Sequence, residues 1–319
     1  MAHELSLLAH IASIAAGQSA AFPHVLLAPG DDCAAVRTPG GDTLLLTVDQ
    51  VIEGRHAPSP PGGWHSPFPG IDSLSRDELL DLYARKTIAR SISDLAAMGG
   101  QPLCALCTAT LPHDFPPEAA RVLAAATHRW GAAWQCPVVG GDVASFASAH
   151  PGPLTLTLTA IGTIQGPPVH RAGAKHGDHV YITGHIGGSL LPSGLGHHLT
   201  FEPRLREGAL LRHELGPDLH AMIDVSDGLG LDASRIAAAS GVAIELDESQ
   251  LPLSPGLTDA IRALADGEDY ELLFCAPHAP KALGETPVTR IGRVTQGQGV
   301  RLRRPSGQTL DISSHGWEH

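Results

Sequence analysis

Short apolar runs, closed by glycine, proline or aspartate, alternate along this chain with longer stretches of helical period. Residues 43–49, TLLLTVD, read as a buried strand ending on Asp49, and residues 136–145, CPVVGGDVAS, as a buried strand turning at two glycines onto Asp142. PLCALCTATLP (102–112) is a further strand. GPLTLTLTAIGTI (152–164) alternates Leu with Thr at period two, the pattern of a half-exposed strand. Two long stretches are helical: DELLDLYARKTIARSISDLAAM (77–98), which follows a Ser75–Glu78 capping box and stops at Gly99 and Gly100, and PPEAARVLAAATHRWGAAW (116–134). The opening MAHELSLLAHIASIAAGQ reads as an amphipathic helix, because it lacks the basic start of a secretory leader and is interrupted by Glu4 and His10. A Pro/Gly-rich loop covers 57–70.

A second unit begins near RAGAKHGDHVYITG, with a strand at 179–183. AMIDVSDGLGLDASRIAAASG (221–241) is then a strand, a Ser-Asp-Gly turn, and a helix opened by Ser226 or Asp227 and stopped by Gly241. ADGEDYELLFCAP (265–277) leads into another strand with acidic residues at its entry. At 319 residues the chain exceeds one ordinary core, and the pattern divides it into two α/β (α+β) domains, 1–167 and 168–319.

Composition narrows the partners. The formal charge is −12, with 33 acidic residues against 21 Lys and Arg, which argues against nucleic acid. No apolar run reaches the length of a membrane span. Five scattered cysteines, Cys33, Cys104, Cys107, Cys136 and Cys275, suit reduced thiols in a cytoplasmic protein. Cys104 and Cys107 form a C-x-x-C, but on a strand positions three apart face opposite sides, so core thiols are favoured over a redox or zinc pair. Nineteen histidines contain no metal-binding spacing, and the pair His197–His198 reads as surface.

The candidate chemistry lies in the aspartates. Asp31, Asp32, Asp49, Asp94, Asp142, Asp224 and Asp227 stand at strand ends, glycine turns or a helix terminus. Asp94 falls at the negative end of a helix, where a carboxylate is unfavourable unless a cation is near; an exposed helical acid is the alternative. Oxygen-only ligation by several carboxylates selects hard cations, magnesium first, and a set of this size suits several ions around a polyphosphate. Gly30, Gly140, Gly141, Gly228 and Gly267 would let backbone amides approach phosphates. No P-loop, protein-kinase or dinucleotide signature is present.

The ordered motifs GDDCAAV, TVDQVIEGRHA, SISDLAAMGGQP, VVGGDVAS, RAGAKHGD, IDVSDGL, GVAIELDESQLPLSP, ADGEDYELLF and GWEH span residues 30–319. Together they resemble the thiamine-monophosphate kinase family, within the aminoimidazole ribonucleotide synthetase-like superfamily. The resemblance implies a two-domain fold: an N-terminal ATP- and Mg²⁺-binding domain that pairs strands with a second copy in a homodimer barrel, and a C-terminal α/β sandwich. It implies ATP-dependent phosphorylation of thiamine monophosphate to thiamine diphosphate. By the same resemblance Asp32, Thr47, Asp49, Asp94, Asp142, Asp224 and Asp227 match metal ligands, with Asp49, Asp142 and Asp227 as the catalytic set. Gly141, Arg171 and Ser226 match ATP-contacting positions, and His56, Glu268 and Trp317 match residues around the thiamine substrate. Of the two adjacent aspartates in GDDCAAV, Asp32 is expected as the direct ligand, with Asp31 hydrogen-bonding or binding through water.

The residues agree with that chemistry. A phosphate monoester acceptor brings its own anionic nucleophile, so no catalytic base is needed and the difficulty is repulsion between two phosphates. Trp317 would stack on a cationic or aromatic ring and Glu268 would face its charge, whereas spacing alone makes Trp317 a cover for an apolar edge. The chain departs from the family pattern at Val48, Ser91 and Asp266, in a longer loop at 57–74 and in a shorter stretch at 184–203. A related phosphotransferase or ligase with another acceptor is the alternative.

Overall fold

The computed structural model describes residues 21–65, 74–281 and 283–317, with Leu7, His10, Ile11 and residues 13–15. Of the expected N-terminal helix, Leu7, His10, Ile11 and residues 13–15 are described and are helical; its other residues lie outside the described ones, as do residues 66–73 and the last two residues of GWEH.

Six apolar runs form the first sheet: β1 (Val25–Leu27), β2 (Ala34–Arg37), β3 (Thr43–Ile52), β4 (Gln101–Leu111), β5 (Val138–Ser145) and β6 (Thr155–Ile164), ordered β1-β2-β3-β6-β4-β5. All neighbours are antiparallel except β4 and β5. The period-two pattern of β6 works as expected: Leu156, Leu158 and Ala160 are buried while the threonines between them are half-buried. Helix α1 (Arg76–Ala97) covers the buried face, packing Ile88, Ile92 and Leu95 against Leu45, Leu158 and Ala160. Its capping box is formed, with Ser75 and Glu78 each satisfying the other's backbone N–H. Helix α2 (Pro117–Ala133) packs beside it, burying Leu123 and Ala126 against Leu79 and Leu80.

The second sheet contains β7 (His179–Thr183), β8 (Ala221–Asp224), β9 (Ala243–Asp247), β10 (Leu272–Ala276), β11 (Val288–Thr295), β12 (Gly299–Arg303) and β13 (Thr309–Asp311), ordered β13-β12-β9-β11-β7-β10-β8. Helix α3 (Leu205–Leu215) covers one face over Tyr181, Met222 and Phe274. Helices α4 (Leu229–Ser240) and α5 (Ala260–Ala265) cover the other over Val180, Ile182, Ile223 and Leu273. Burial on both faces explains why β7, β8 and β10 read as continuous apolar runs, whereas β12, toward the edge, alternates buried and exposed residues. The halves meet where α3 crosses the end of α1: a Cβ at Gly208 would lie 2.3 Å from the Ala96 carbonyl oxygen, so only glycine permits this approach.

Three local expectations are corrected. Strand β3 runs on to Ile52, so Asp49 lies within it rather than at its end. CPVVGGDVAS is not buried: β5 is an edge strand with β4 as its single neighbour, and Val139–Ser145 are exposed. Helix α4 starts at Gly228, with no side-chain cap from Ser226 or Asp227. Instead the Asp232 carboxylate, inside the first turn, accepts the N–H groups of Ser226 and Asp227, both at 3.0 Å.

Candidate active site

The last turn of α1, the end of β8 and the turn before β2 converge on one point. Carboxylate oxygens of Asp94, Asp224 and Asp32 lie within 4.8 Å of one another. Each is held from behind: Thr47 of β3 donates to Asp94, Ser93 Oγ donates to Asp224 at 2.6 Å, and Arg171 Nε donates to Asp32 Oδ1 at 3.2 Å. The other Asp32 oxygen, Oδ2, is buried with no hydrogen-bond partner. Burial pushes the Asp32 carboxyl up to about 6 despite the pull of Arg171. Burial, then mutual repulsion, raises Asp94 and Asp224 well above the usual carboxylate range. Three carboxylates this close cannot all ionise without a counter-charge, and the orphaned oxygen faces no protein donor. The donor set is oxygen throughout and fits a hard divalent cation.

The other acidic candidates divide. Asp49 accepts from Ser91 Oγ at 3.0 Å and lies 3.6 Å from Arg90 Nη2, and its charge is among those that raise Asp94. Asp227 is paired with Arg235. Asp31 turns away from the cluster, accepting the Arg171 backbone N–H at 3.2 Å and lying 3.3 Å from His170 Nδ1. Asp142 stands apart. Cross-strand register puts it in the row Gln50–Thr157–Thr108–Asp142, on the face opposite α1 and three strands from β3. Across the sheet β3 and β5 are about 14 Å apart, and Asp142 is not among the carboxylates that meet at Asp94. Beside it, Gly141 is required sterically, since a Cβ there would lie 1.7 Å from the Cys107 carbonyl oxygen.

A cavity of about 110 Å³ is lined by His56, Arg90, Ser226, Asp227, Glu268 and Trp317, among others. Three predicted substrate residues thus share one space with two residues of the Ser-Asp-Gly turn. The turn and the GEDY segment interlock: Glu268 N donates to Ser226 O at 2.6 Å, and Trp317 N donates to Asp227 O at 2.7 Å. Glu268 holds a left-handed backbone (φ 63°) that directs its carboxylate onto Lys86 Nζ at 2.6 Å and His198 Nδ1 at 2.9 Å. Burial disfavours its charge, but the His198 hydrogen bond and the Lys86 charge outweigh it and bring its carboxyl down to about 2. The Lys86 side chain is fully buried; its ammonium also donates to His56 O at 2.6 Å, and desolvation draws it down to about 8. Trp317 is 51% exposed, so it walls the cavity rather than sealing a core.

Comparison with known proteins follows this geometry. The chain matches the AIR synthase related protein N-terminal domain over residues 30–164 and the corresponding C-terminal domain over 175–304. It is 32% identical to the thiamine-monophosphate kinase of Rhodopirellula baltica, over 95% of this chain and 94% of that one. Identity to the Escherichia coli K12 thiamine-monophosphate kinase is also 32%, over 92% of each chain. The chain belongs to the thiamine-monophosphate kinase family. A solved structure, AaThiL complexed with AMPPCP and TMP, superposes at a TM-score of 0.72 with 29% identity, covering 91% of each chain.

Several residues packed into this region were missed by sequence reasoning. His198 is buried, not on the surface, and Nε2 lies 3.0 Å from Gly194 O, a carbonyl that only accepts. Nε2 therefore carries a proton; the Lys86 ammonium can donate to a bare Nδ1, whereas the hydrogen bond to the Glu268 carboxylate requires a proton on Nδ1 as well. Nothing in a His-His pair announces this. Lys86 had a signal: Lys86, Arg90 and Asp94 recur every four residues along α1, between positions that are otherwise apolar or small. Asp232, buried beneath the Ser-Asp-Gly turn and paired with Arg235, looked like an ordinary helical acid.

Proposed function

We propose that this protein transfers the γ-phosphoryl group of ATP to the phosphate of thiamine monophosphate, yielding thiamine diphosphate. The observation that carries this reading is the placement of a buried carboxylate cluster and the Glu268–Trp317 cavity along one helix, α1. Relatives named for this activity, and a related structure holding an ATP analogue with TMP, support the same assignment.

The acceptor phosphate is itself the nucleophile, so the chain's residues position and screen rather than abstract a proton. Asp32, Asp94 and Asp224, with Thr47, Asp49 and Asp227 at their margin, are the groups we assign to Mg²⁺. When bound, Mg²⁺ supplies the positive charge that screens the donor phosphate from the acceptor phosphate. Arg171 and Ser226 are assigned to the nucleotide with Gly141, beside which a cavity of about 470 Å³ with Leu123, Ala124 and Val139 in its walls suits an apolar purine face. His56, Glu268 and Trp317 are assigned to the thiamine rings. The remaining assignments are the two domains, 1–167 and 168–319, and a cytoplasmic location, which the five free cysteines favour.

We assign a homodimer as the working form. Val48 and Leu106 flank Thr159 in one row on the uncovered face of the first sheet and are 62% and 43% exposed, a face that a second copy would cover. A site shared between copies is the arrangement that keeps Asp142 as a ligand, since Asp142 lies outside the Asp32–Asp94–Asp224 cluster. Sedimentation should give twice the 33.2 kDa chain mass, falling to one chain mass for Val48→Glu. A monomer in the unmodified protein would contradict the dimer.

The activity is tested by measuring ADP release with Mg²⁺ and ATP. Release should require thiamine monophosphate and should fail in Asp49→Asn. ADP release indifferent to thiamine monophosphate would sink the assignment.

A further inference from the structure

Lys86, Arg90 and Asp94 occupy successive turns on one face of α1. Each step of four residues rises about 6 Å, so the three mark stations along a line of about 12 Å. Lys86 grips Glu268 at one end, and Asp94 belongs to the carboxylate cluster at the other. Arg90 stands between them and lines the same cavity as Glu268 and Trp317. Its Nη1 donates to Gln50 O at 2.8 Å, which orients the guanidinium. Its other two nitrogens make no hydrogen bond among the described residues. Nε is buried without a partner, and Nη2 lies 3.6 Å from Asp49 Oδ1, beyond hydrogen-bond range. Lys86 is held tightly by Glu268 at 2.6 Å, whereas the Arg90 ion pair with Asp49 is looser, at 3.6 Å, and leaves Arg90 the more available cation on this stripe.

An acceptor with its rings at Glu268 and Trp317 and its phosphate reaching toward the aspartates brings that phosphate past the middle station, where Arg90 lines the cavity. We propose that Arg90 binds the phosphate of the acceptor and is the residue that separates thiamine monophosphate from thiamine. A guanidinium meets phosphate oxygens with paired donors, which a neutral hydroxyl in their place cannot satisfy. The proposal rests on the function proposed above. The competing role is purely structural: neutralising Asp49 and capping the Gln50 carbonyl.

Calorimetric titration of thiamine monophosphate and of thiamine into the full-length protein with Mg²⁺, without ATP, distinguishes the two. For Arg90→Gln we expect affinity for thiamine monophosphate to fall about 10- to 100-fold and affinity for thiamine to stay within about 3-fold. Arg90→Lys, which keeps charge but not the fork, should fall in between. Equal loss for both ligands, or loss for neither, would overturn the role of Arg90 while leaving the kinase assignment intact. If Arg90→Gln does not fold by circular dichroism, Arg90→Lys decides: a reduced preference for the phosphorylated ligand supports the proposal and an unchanged one overturns it. Unmodified protein that binds neither ligand would overturn the kinase assignment and this inference together.

Discussion

Of the groups that anchor the cluster, Arg171 on Asp32 carries charge but also faces Asp31, while the Thr47 and Ser93 hydroxyls on Asp94 and Asp224 neutralise nothing, so the three carboxylates together keep charge to spare. Removing one carboxylate should therefore have opposite effects on stability and on activity. Asp94→Asn should raise the melting temperature of metal-free protein by relieving like-charge repulsion, abolish the stabilisation given by Mg²⁺, and lower the transfer rate by about 10³-fold. Calorimetry with and without Mg²⁺ checks the first two effects, and a loss of stability in metal-free Asp94→Asn would contradict the charge balance drawn here. The aspartates were legible because a carboxylate at a helix C-terminus or a glycine turn has no local reason to be there. Lys86 and His198 were not, because what brings them to the site is a contact with Glu268, 182 residues from Lys86 in the chain. Such contacts have no local signature.

At the scale of elements, α1 ties the molecule together: it fills the first core, crosses α3 at Gly208, and carries Lys86, Arg90 and Asp94 toward the second half. Its start depends on the reciprocal Ser75–Glu78 box. Ser75→Ala should cost about 1 kcal/mol in a denaturant melt, without changing the Mg²⁺ response, because Asp94 lies at the far end. An effect on Mg²⁺ affinity would show that the helix moves as a whole. The capping box and the period-two strand β6 were legible in the sequence because both are local rules. Strand β5 was misread as buried because the same composition serves a core strand and an edge strand, and only the pairing order distinguishes them. Helix α4 was given the wrong cap because Asp232 reaches back from inside the helix, reversing the usual direction of capping.

For the whole molecule, buried acids couple stability to pH. Burial raises the carboxyls of Asp32 to about 6, Asp232 to about 7 and Asp269 to about 8, each above its unfolded value of 3.8. The folded state then holds more protons than the unfolded one, so this contribution is complete below about pH 4 and lost as pH rises through those values. Glu268, lowered to about 2, works the other way, but its contribution is already complete near pH 5. Metal-free protein should thus melt at lower temperature at pH 7 than at pH 5, and the increase in melting temperature on adding Mg²⁺ should be larger at pH 7. A flat metal-free profile would contradict the burial of these acids.

The central claim is that phosphate, not hydroxyl or water, accepts the γ-phosphoryl group. Phosphorus NMR of the protein with Mg²⁺, ATP and thiamine monophosphate tests it most directly. The result expected is the two coupled resonances of thiamine diphosphate growing in step with those of ADP, with the thiamine monophosphate signal falling equally. ADP accompanied by inorganic phosphate, with the thiamine monophosphate signal unchanged, would contradict the account.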